Sequence, residues 1–337
     1  MNSNILLNNN SIIYVLCPAN LKTGGTELLH QLVNGLNQIH RIAYITYYFE
    51  GKRSSFKDPT PTDFTKYIQE YRLVKDIEDE QDNLLVIPEI CVGKHRKYKL
   101  IQKALWWLSV DNYIRSKGML NRLIRYGVAS WFKHVLLNDY AKERDITSFD
   151  LHLVQSHYAY SYVISIGIEK EKTVFLSDYI NDIFFGNHPI TDRKDVVLFN
   201  PKKGRTFTNK IIQMAPDVLF RPIDNMESRD VFELMWSSKV YIDFGNHPGK
   251  DRIPRESAMC GCCVITNTRG AANNHMDVPI PDECKFKEDE DELQRIVNKI
   301  RKCISDYPSE VSQFDEYRSI IKKEKASFYK SLEEIFV

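Results

Sequence analysis

The sequence predicts an α/β fold with two Rossmann-like domains facing a cleft. Short apolar runs alternate with amphipathic stretches along the chain, which is typical of βαβ units around a parallel sheet. The alternation restarts near Asp195, so the pattern occurs twice. A chain of 337 residues, 43% of them hydrophobic, is long enough for two domains with substantial cores.

The first half is predicted to hold five strands and one clear helix. The strands are expected at residues 12–16, 42–48, 84–87, 151–155 and 173–176. The helix, residues 27–39, places Leu28, Leu32 and Leu36 on one face. We assign residues 1–185 to an N-terminal domain.

The second half repeats the pattern. Strands are expected at residues 196–200, 218–220, 240–244 and 263–266, and helices at 205–214, 228–236 and 254–260. The last forty or so residues, rich in Lys and Glu, are predicted to form helices on the outside. We assign residues 186–337 to a C-terminal domain, joined to the first through the turn-rich segment 182–194.

Positive charge is concentrated in one segment. The net charge is only +1, yet residues 94–134 carry ten Lys or Arg and one acidic residue. The segment also contains Trp106, Trp107 and Trp131. This composition fits an interfacial helix on an anionic membrane surface, or equally two amphipathic helices of a basic helical segment, 94–137, packed on the first domain. A nucleic-acid partner is disfavoured because no base-reading module accompanies the charge.

The expected location is the cytoplasm. The first twenty residues lack a basic leader, and no stretch is long and apolar enough to cross a bilayer. The seven cysteines, an odd number without regular spacing, indicate free thiols in a reducing compartment.

The first candidate binding loop leads from the first strand into the first helix and contains Gly24 and Gly25. Paired glycines let backbone amides approach a ligand, and a helix N-terminus favours an anion. A plain strand-to-helix turn is an equally good interpretation of this loop alone. It is neither a dinucleotide fingerprint nor a Walker loop, because both motifs are absent.

The second candidate is the segment 200–205, where the first strand of the second domain ends. Lys202, Lys203 and Arg205 lie there beside a helix start, and these cations could neutralise a pyrophosphate. Taken alone, a Lys-Lys-Gly turn is more often a solvated corner.

The third candidate, residues 241–266, is the most specific. A strand ends in a Gly/Asn/His/Pro loop, a helix starts near Pro254, and Gly261 ends that helix before the next buried strand. Glu256 lies near the helix start, where a carboxylate can accept both hydroxyls of a ribose. In isolation, the simpler role of complementing the helix dipole is favoured for this residue.

Three segments in this order resemble the landmarks of GT-B glycosyltransferases, especially the retaining family 4 group. They are the Gly24-Gly25 loop with Glu27, residues 150–157, and residues 254–265 with their Cys-Gly turn. The architectural resemblance covers most of the chain, and the sharp motifs cover about a fifth of it.

The resemblance implies roles for individual residues. Gly24 and Gly25 would approach the donor phosphates, and His157 would touch the transferred sugar. The pyrophosphate would be bound by Lys202, Lys203 and Arg205, and the ribose by Glu256. Family members carry another glutamate two helical turns before the ribose-binding one, but this chain has Pro248 there. Asp243, His247 or Asp251 would replace it in holding the sugar.

The resemblance therefore implies a hexosyltransferase-like enzyme that needs neither a cofactor nor a metal ion. Its donor would be a nucleotide sugar, and its acceptor a saccharide or a lipid-linked saccharide in surface polysaccharide synthesis. It would work in the cytoplasm, peripherally on the inner face of the membrane. The alternatives are a nucleotide-sugar epimerase of the same fold and a non-catalytic carbohydrate-binding scaffold.

Overall fold

A computed structural model describes residues 5–49, 58–117, 123, 127–128, 143–186 and 193–337. The chain divides into two compact units, Met1–Asp178 with Ala326–Val337, and Tyr179–Lys325. Each unit contains one parallel sheet with helices between its strands, so the predicted α/β fold class is confirmed.

The first unit holds a seven-stranded parallel sheet within the described residues. Its strands are β1 (Ile12–Pro18), β2 (Ile42–Tyr48), β3 (Tyr71–Leu73), β4 (Leu84–Pro88), β5 (Gln102–Trp107), β6 (Leu151–Val154) and β7 (Thr173–Phe175). Its α-helices are α1 (Gly24–Gln38), α2 (Val110–Ser116), α3 (Glu143–Ile146) and α4 (His157–Ser165). The strand order β3-β2-β1-β4-β5-β6-β7 reverses direction between β1 and β4.

The second unit holds a five-stranded parallel sheet in the order β12-β11-β10-β8-β9. Its strands are β8 (Lys194–Phe199), β9 (Leu219–Pro222), β10 (Ser238–Asp243), β11 (Cys263–Asn267) and β12 (Lys285–Phe286). Its helices are α5 (Arg205–Met214), α6 (Ser228–Trp236), α7 (Arg252–Met259), α8 (Leu293–Ser305), α9 (Tyr307–Ser312) and α10 (Asp315–Phe336), the last of which runs on into the first unit.

Helices cover both faces of these sheets, so the central strands are buried on both sides. Val15 in β1, Val86 in β4, Val197 in β8 and Val264 in β11 are completely buried. This double burial explains why the strands are continuous apolar runs in the sequence and not alternating patterns. The seven cysteines, all within the described residues, are buried thiols that form no disulfide.

The domain boundary differs from the predicted one at the C-terminus. Residues from Ala326 onward belong to the first unit, whereas the prediction gave all of 186–337 to the second. The physical reason is a close helix contact at Gly35 in α1. A Cβ atom there would lie 2.5 Å from Leu332 Cδ1 and 3.0 Å from Phe328 Cε1, so the missing side chain lets the end of α10 pack against α1.

The basic segment also departs from the prediction of helices across residues 94–137. Residues 102–107 form β5, an internal strand of the first sheet that pairs with β4 and β6. Trp106 and Trp107 are completely buried, and their indole N–H groups donate to Leu176 O and His152 Nδ1, each at 3.1 Å. These two tryptophans therefore belong to the core and cannot insert into a lipid surface. Trp131 lies outside the described residues.

Among the described residues, no helix combines the length and the apolar character needed to span a bilayer.

Candidate functional site

The loops after β8 and β10 meet where the strand order of the second sheet reverses. The chain goes from β8 outward to β9, but from β10 in the opposite direction to β11. β8 and β10 are paired directly, with Ile242 opposite Phe199. In open α/β sheets the helices diverge at such a point and leave a crevice at the strand ends, where ligands bind. The topology therefore selects the residues that follow Phe199 and Ile242 as a candidate site.

Three glycines allow the loops at this point to approach one another. A Cβ atom on Gly204 would lie 2.0 Å from Phe244 O, and one on Gly245 would lie 2.4 Å from Lys203 Cβ. A Cβ atom on Gly270 would lie 2.0 Å from His247 O. The loops after β8, β10 and β11 are thus in backbone contact, and no larger residue fits at these positions without moving the chain.

Replacing Gly204 with Ala is expected to lower the free energy of unfolding by about 2 kcal/mol or more, because positive φ and a backbone overlap act together. Gly204 has a φ of 58°. The matched control is Gly167→Ala, where φ is also positive at 86° but nothing lies within 4 Å of the added Cβ. Urea unfolding measures the free energy of unfolding of both variants. Equal losses of stability would show that the Gly204 contact with the loop after β10 is unimportant.

Lys203, His247 and Asp251 form a contact cluster in this crevice. Lys203 Nζ lies 2.8 Å from Asp251 Oδ2, and His247 Nδ1 lies 3.1 Å from the same oxygen. His247 Nε2 lies 3.8 Å from Asp243 Oδ1. Two carboxylates therefore face one ammonium group and one imidazole, and the cluster is close to neutral when the imidazole is protonated.

The contacts within the cluster shift the pKa values of Lys203, His247 and Asp251 in the direction that favours the charged form of each residue. Burial alone would lower the pKa of His247, but the hydrogen bond to Asp251 and the charges of Asp243 and Asp251 outweigh it and raise the pKa above 6.5. Burial would raise the pKa of Asp251, yet His247 and Lys203 together lower it. Burial opposes the charge of Lys203 as well, but the two carboxylates raise its pKa.

The raised pKa of His247 predicts that the cluster stabilises the fold less at higher pH. A folded-state pKa above the unfolded value gives stability that is complete below about pH 6.5 and is lost as the pH rises through the folded-state pKa. We expect the melting temperature of the wild type to exceed that of His247→Gln by a margin that narrows between about pH 5.5 and about pH 9. A margin that widens over this interval would contradict the charged state of His247.

Asp243 and His247, which the sequence analysis placed against the sugar, are buried. They are 3% and 1% exposed. Tyr241 Oη donates to Asp243 Oδ2 at 2.8 Å, and Gly245 N–H donates to Asp243 Oδ1 at 3.0 Å. In this conformation both residues hold the loop that carries Asp251, a role that sequence reasoning did not assign to them. Tyr241 was overlooked because a buried strand residue carries no sequence signal of its hydrogen bond.

The other predicted donor-binding residues of this unit occupy different positions. The Lys202 side chain is 67% exposed, and its Nζ lies 3.0 Å from Asp224 Oδ1, away from the cluster. Arg205 is exposed at the first position of α5. Glu256 is half-buried in α7, which begins at Arg252 and not at Pro254 as predicted. Glu256 therefore lies in the second turn, beyond the range in which a helix dipole is strongest.

Asp243, His247 and Asp251 also offer three ligand atoms within 4.8 Å of one another, an arrangement that can hold a metal ion. The ammonium group of Lys203 also lies 2.8 Å from Asp251 Oδ2, the oxygen that contacts His247 Nδ1. Lys203 therefore already places a positive charge beside this carboxylate.

The first unit contains the remaining predicted residues. Gly24 and Gly25 are the first two residues of α1, where the Thr23 side chain caps the helix by accepting from Thr26 N at 3.2 Å. A Cβ atom on Gly25 would make only ordinary contacts at 3.9 Å, so packing does not require glycine there. His157 begins α4 and packs on the Phe175 ring at 4.6 Å.

The strand order sets the spacing between these predicted residues. Two strands, β4 and β5, lie between β1 and β6, which puts the α1 and α4 starts on the order of 14 Å apart along the sheet edge. A ligand contacting both must be extended.

A buried carboxyl at the reversal point of the first sheet was missed by sequence reasoning. Glu89 follows β4, is 2% exposed and accepts from Leu108 N at 3.0 Å. Burial raises its pKa to about 8, despite the backbone N–H groups that favour the anion. A single glutamate after an apolar run gives no sign of such burial in the sequence.

Comparison with known structures identifies the arrangement of strands and helices. Anabaena HepE, solved in complex with UDP, superposes with a TM-score of 0.65 at 14% sequence identity, over 96% of this chain and 98% of that chain. Sucrose-phosphate synthase from Thermosynechococcus elongatus gives 0.62 at 11% identity, over 97% and 98%. A glycosyltransferase from Rickettsia africae gives 0.55 at 12% identity, over 96% and 99%. The chain has the GT-B fold.

The GT-B similarity extends over nearly the full length of both partners in each comparison. HepE has also been solved with UDP and glucose and with UDP-glucose. No protein-family profile and no curated protein sequence matches this chain. At these identities the comparisons establish the GT-B fold, and the function has to be argued from the site.

Proposed function

We propose that the chain is a glycosyltransferase that moves a sugar from a nucleotide donor to a saccharide acceptor.

 The observation that carries this proposal is the convergence of Lys203, Gly204 and Asp251 at the reversal point of the second sheet. There a cation and closely packed backbone lie where α/β folds bind nucleotides. The solved GT-B structures with UDP and UDP-glucose support the same class of ligand.

Lys203 would bind the diphosphate while keeping its contact with Asp251. An ammonium group has three N–H donors, and the contact with Asp251 at 2.8 Å needs only one. The Lys203 side chain is 32% exposed, so the other donors can reach a ligand. The N-terminus of α5, with Arg205 at its first position, adds positive charge at the same strand end. These groups would stabilise the nucleoside diphosphate as it leaves the sugar.

The proposal assigns the remaining donor contacts to Glu256, Gly24, Gly25 and His157. Glu256, half-buried in the second turn of α7, would accept the two ribose hydroxyls. Gly24 and Gly25 would present the first amides of α1 to the donor phosphates, since a helix start has unpaired N–H groups. His157 would contact the transferred sugar.

We propose further that the enzyme resembles the retaining family 4 group, transfers a hexosyl group and needs neither a cofactor nor a metal ion. Its acceptor would be a saccharide or a lipid-linked saccharide used in surface polysaccharide synthesis. This setting would place the enzyme in the cytoplasm, at the inner face of the membrane.

A thermal-shift panel of nucleotide sugars tests the proposal. A ligand that binds only the folded state at about 100 times its Kd adds about 2.7 kcal/mol to the free energy of unfolding. We expect one nucleotide sugar, or its nucleoside diphosphate, to raise the melting temperature clearly above that of the sugar alone. A panel of UDP-, GDP- and ADP-sugars without any shift would argue for a carbohydrate-binding scaffold.

Product analysis separates the transferase from an epimerase of the same fold. The proposal predicts that the donor sugar stays unchanged when the donor is incubated alone, and that a glycoside forms only when a saccharide acceptor is added. Conversion of the donor into a sugar epimer without acceptor would contradict it. Mass spectrometry detects the glycoside, and NMR of the donor detects epimerisation.

A further inference from the structure

A buried ion cluster lies behind the loop that carries Asp251. Arg255, in α7, is completely buried, and its Nη1 donates to Glu324 Oε2 of α10 at 2.7 Å. The other oxygen of that carboxylate, Oε1, lies 2.7 Å from Lys250 Nζ. Glu324 is 6% exposed. One carboxylate from a distant part of the chain therefore joins two cations on either side of the start of α7.

Arg255 also holds the backbone of the site loop. Its Nη2 donates to Lys250 O at 3.1 Å, and its Nε donates to Asp251 O at 3.2 Å. These are the last two carbonyl groups before α7 begins at Arg252. The carboxylate of the same Asp251 contacts Lys203 and His247. The backbone of Asp251 is thus fixed from one side by Arg255, while its side chain orients the proposed phosphate-binding lysine on the other.

Stability alone is a weak reason for such a cluster. Removing charges from water costs several kcal/mol per ion, and well-packed apolar residues in place of a buried ion pair are often neutral or stabilising. A buried guanidinium, however, offers several N–H donors in a fixed plane, so it can bind a carboxylate and two carbonyl groups at once. An apolar side chain at position 255 would leave both carbonyl groups without these donors.

We propose that Glu324 and Arg255 are positioning residues of the donor site, which set the backbone of Asp251 and through it the place of Lys203. The proposal rests on the proposed function, because it concerns the same phosphate-binding lysine. It adds a residue 69 positions away from Arg255 in the chain to the machinery of the site.

The test replaces the whole cluster, so that no buried charge is left without a partner. The variant is Lys250→Met with Arg255→Met and Glu324→Leu. The matched control replaces another buried ion pair of the same unit, Lys299→Met with Glu310→Leu. In the wild type these two residues are 7% and 1% exposed and lie on α8 and α9.

Two readouts separate positioning from general stability. The first is calorimetric affinity for the nucleoside diphosphate that binds the wild type, chosen from UDP, GDP and ADP. We expect the triple variant to bind it about tenfold or more weakly, because small displacements of a binding group have effects of this size or larger. The second is NMR titration of His247, which faces Asp243, Asp251 and Lys203 and should titrate at lower pH in the triple variant. The control variant should match the wild type in nucleotide affinity and in the titration of His247.

Each outcome distinguishes the inference from the proposed function. Wild-type affinity and an unchanged His247 titration in a folded triple variant would overturn the inference and leave the proposed function standing. If the wild type binds none of the three nucleotides, the proposed function fails, whereas a shifted His247 titration would still show that the cluster positions Asp251. Because unfolding would hide both readouts, circular dichroism establishes that the triple variant is folded. If the triple variant is not folded, the milder variant Glu324→Gln takes its place. We then expect a smaller shift of the His247 titration in the same direction.

Discussion

Replacing Lys203 with Met is expected to reduce kcat/KM for glycosyl transfer by about 10²- to 10³-fold, the usual effect of losing one charge-stabilising donor at a reacting group. The side chain of Lys203 reaches the crevice at the reversal point of the second sheet and is oriented by Asp251. Met keeps the length of the side chain without its charge. Steady-state kinetics with the donor identified in the thermal-shift panel measures the effect.

Two further variants control this prediction. Lys202→Met removes the neighbouring cation, which is 67% exposed and paired with Asp224, so it should change kcat/KM by no more than about threefold, as expected for an exposed ion pair. Lys203→Arg retains the charge and should recover part of the lost activity. A larger effect at Lys202 than at Lys203 would mean that the exposed lysine binds the diphosphate.

Replacing Glu256 with Ala is expected to weaken nucleotide binding about a hundredfold, because two hydrogen bonds from the ribose hydroxyls to a charged group would be lost. Calorimetry with the nucleoside diphosphate measures the affinity directly. The control is Glu233→Ala, which removes an exposed glutamate paired with Arg229 on α6 and should leave the affinity unchanged. Unchanged affinity in Glu256→Ala would remove Glu256 from the ribose site.

The sequence predicts the long buried strands and their helices because these are regular and clearly bounded. Residues 42–48, 205–214 and 228–236 were predicted with the observed bounds. The turn at Gly261 was predicted for the same reason, since a φ of 86° favours glycine after a helix. Strong local signals such as these do not depend on distant parts of the chain.

The missed elements are short or misleading in composition. β3 and β12 have three and two residues, too few for a pattern to appear. β5 lies in the segment with the highest positive charge, so the buried run that ends at Trp107 was attributed to an amphipathic helix. Pairing with β4 and β6 makes this run a strand and not a helix, and that pairing depends on residues far away in the chain.

Only those site residues that carry a local sequence signal could be predicted. Lys203 was a candidate because it lies beside a predicted helix start, where a cation can neutralise a pyrophosphate. Asp251 was a candidate because the resemblance to GT-B glycosyltransferases implies an acidic residue near Pro248. Glu324 lies in a helix predicted to be peripheral, and only folding brings its carboxylate to Arg255. The burial of Asp243 and His247 likewise follows from contacts with Tyr241 and the β11 loop, which no local pattern reveals.

A crystal structure of the chain with a bound nucleoside diphosphate tests the central claim most directly. The account predicts phosphate oxygens within about 3 Å of Lys203 Nζ, at the strand ends of β8 and β10, with the ribose hydroxyls on Glu256. A nucleotide bound at another place on the second unit, with Lys203 still held only by Asp251, would contradict it.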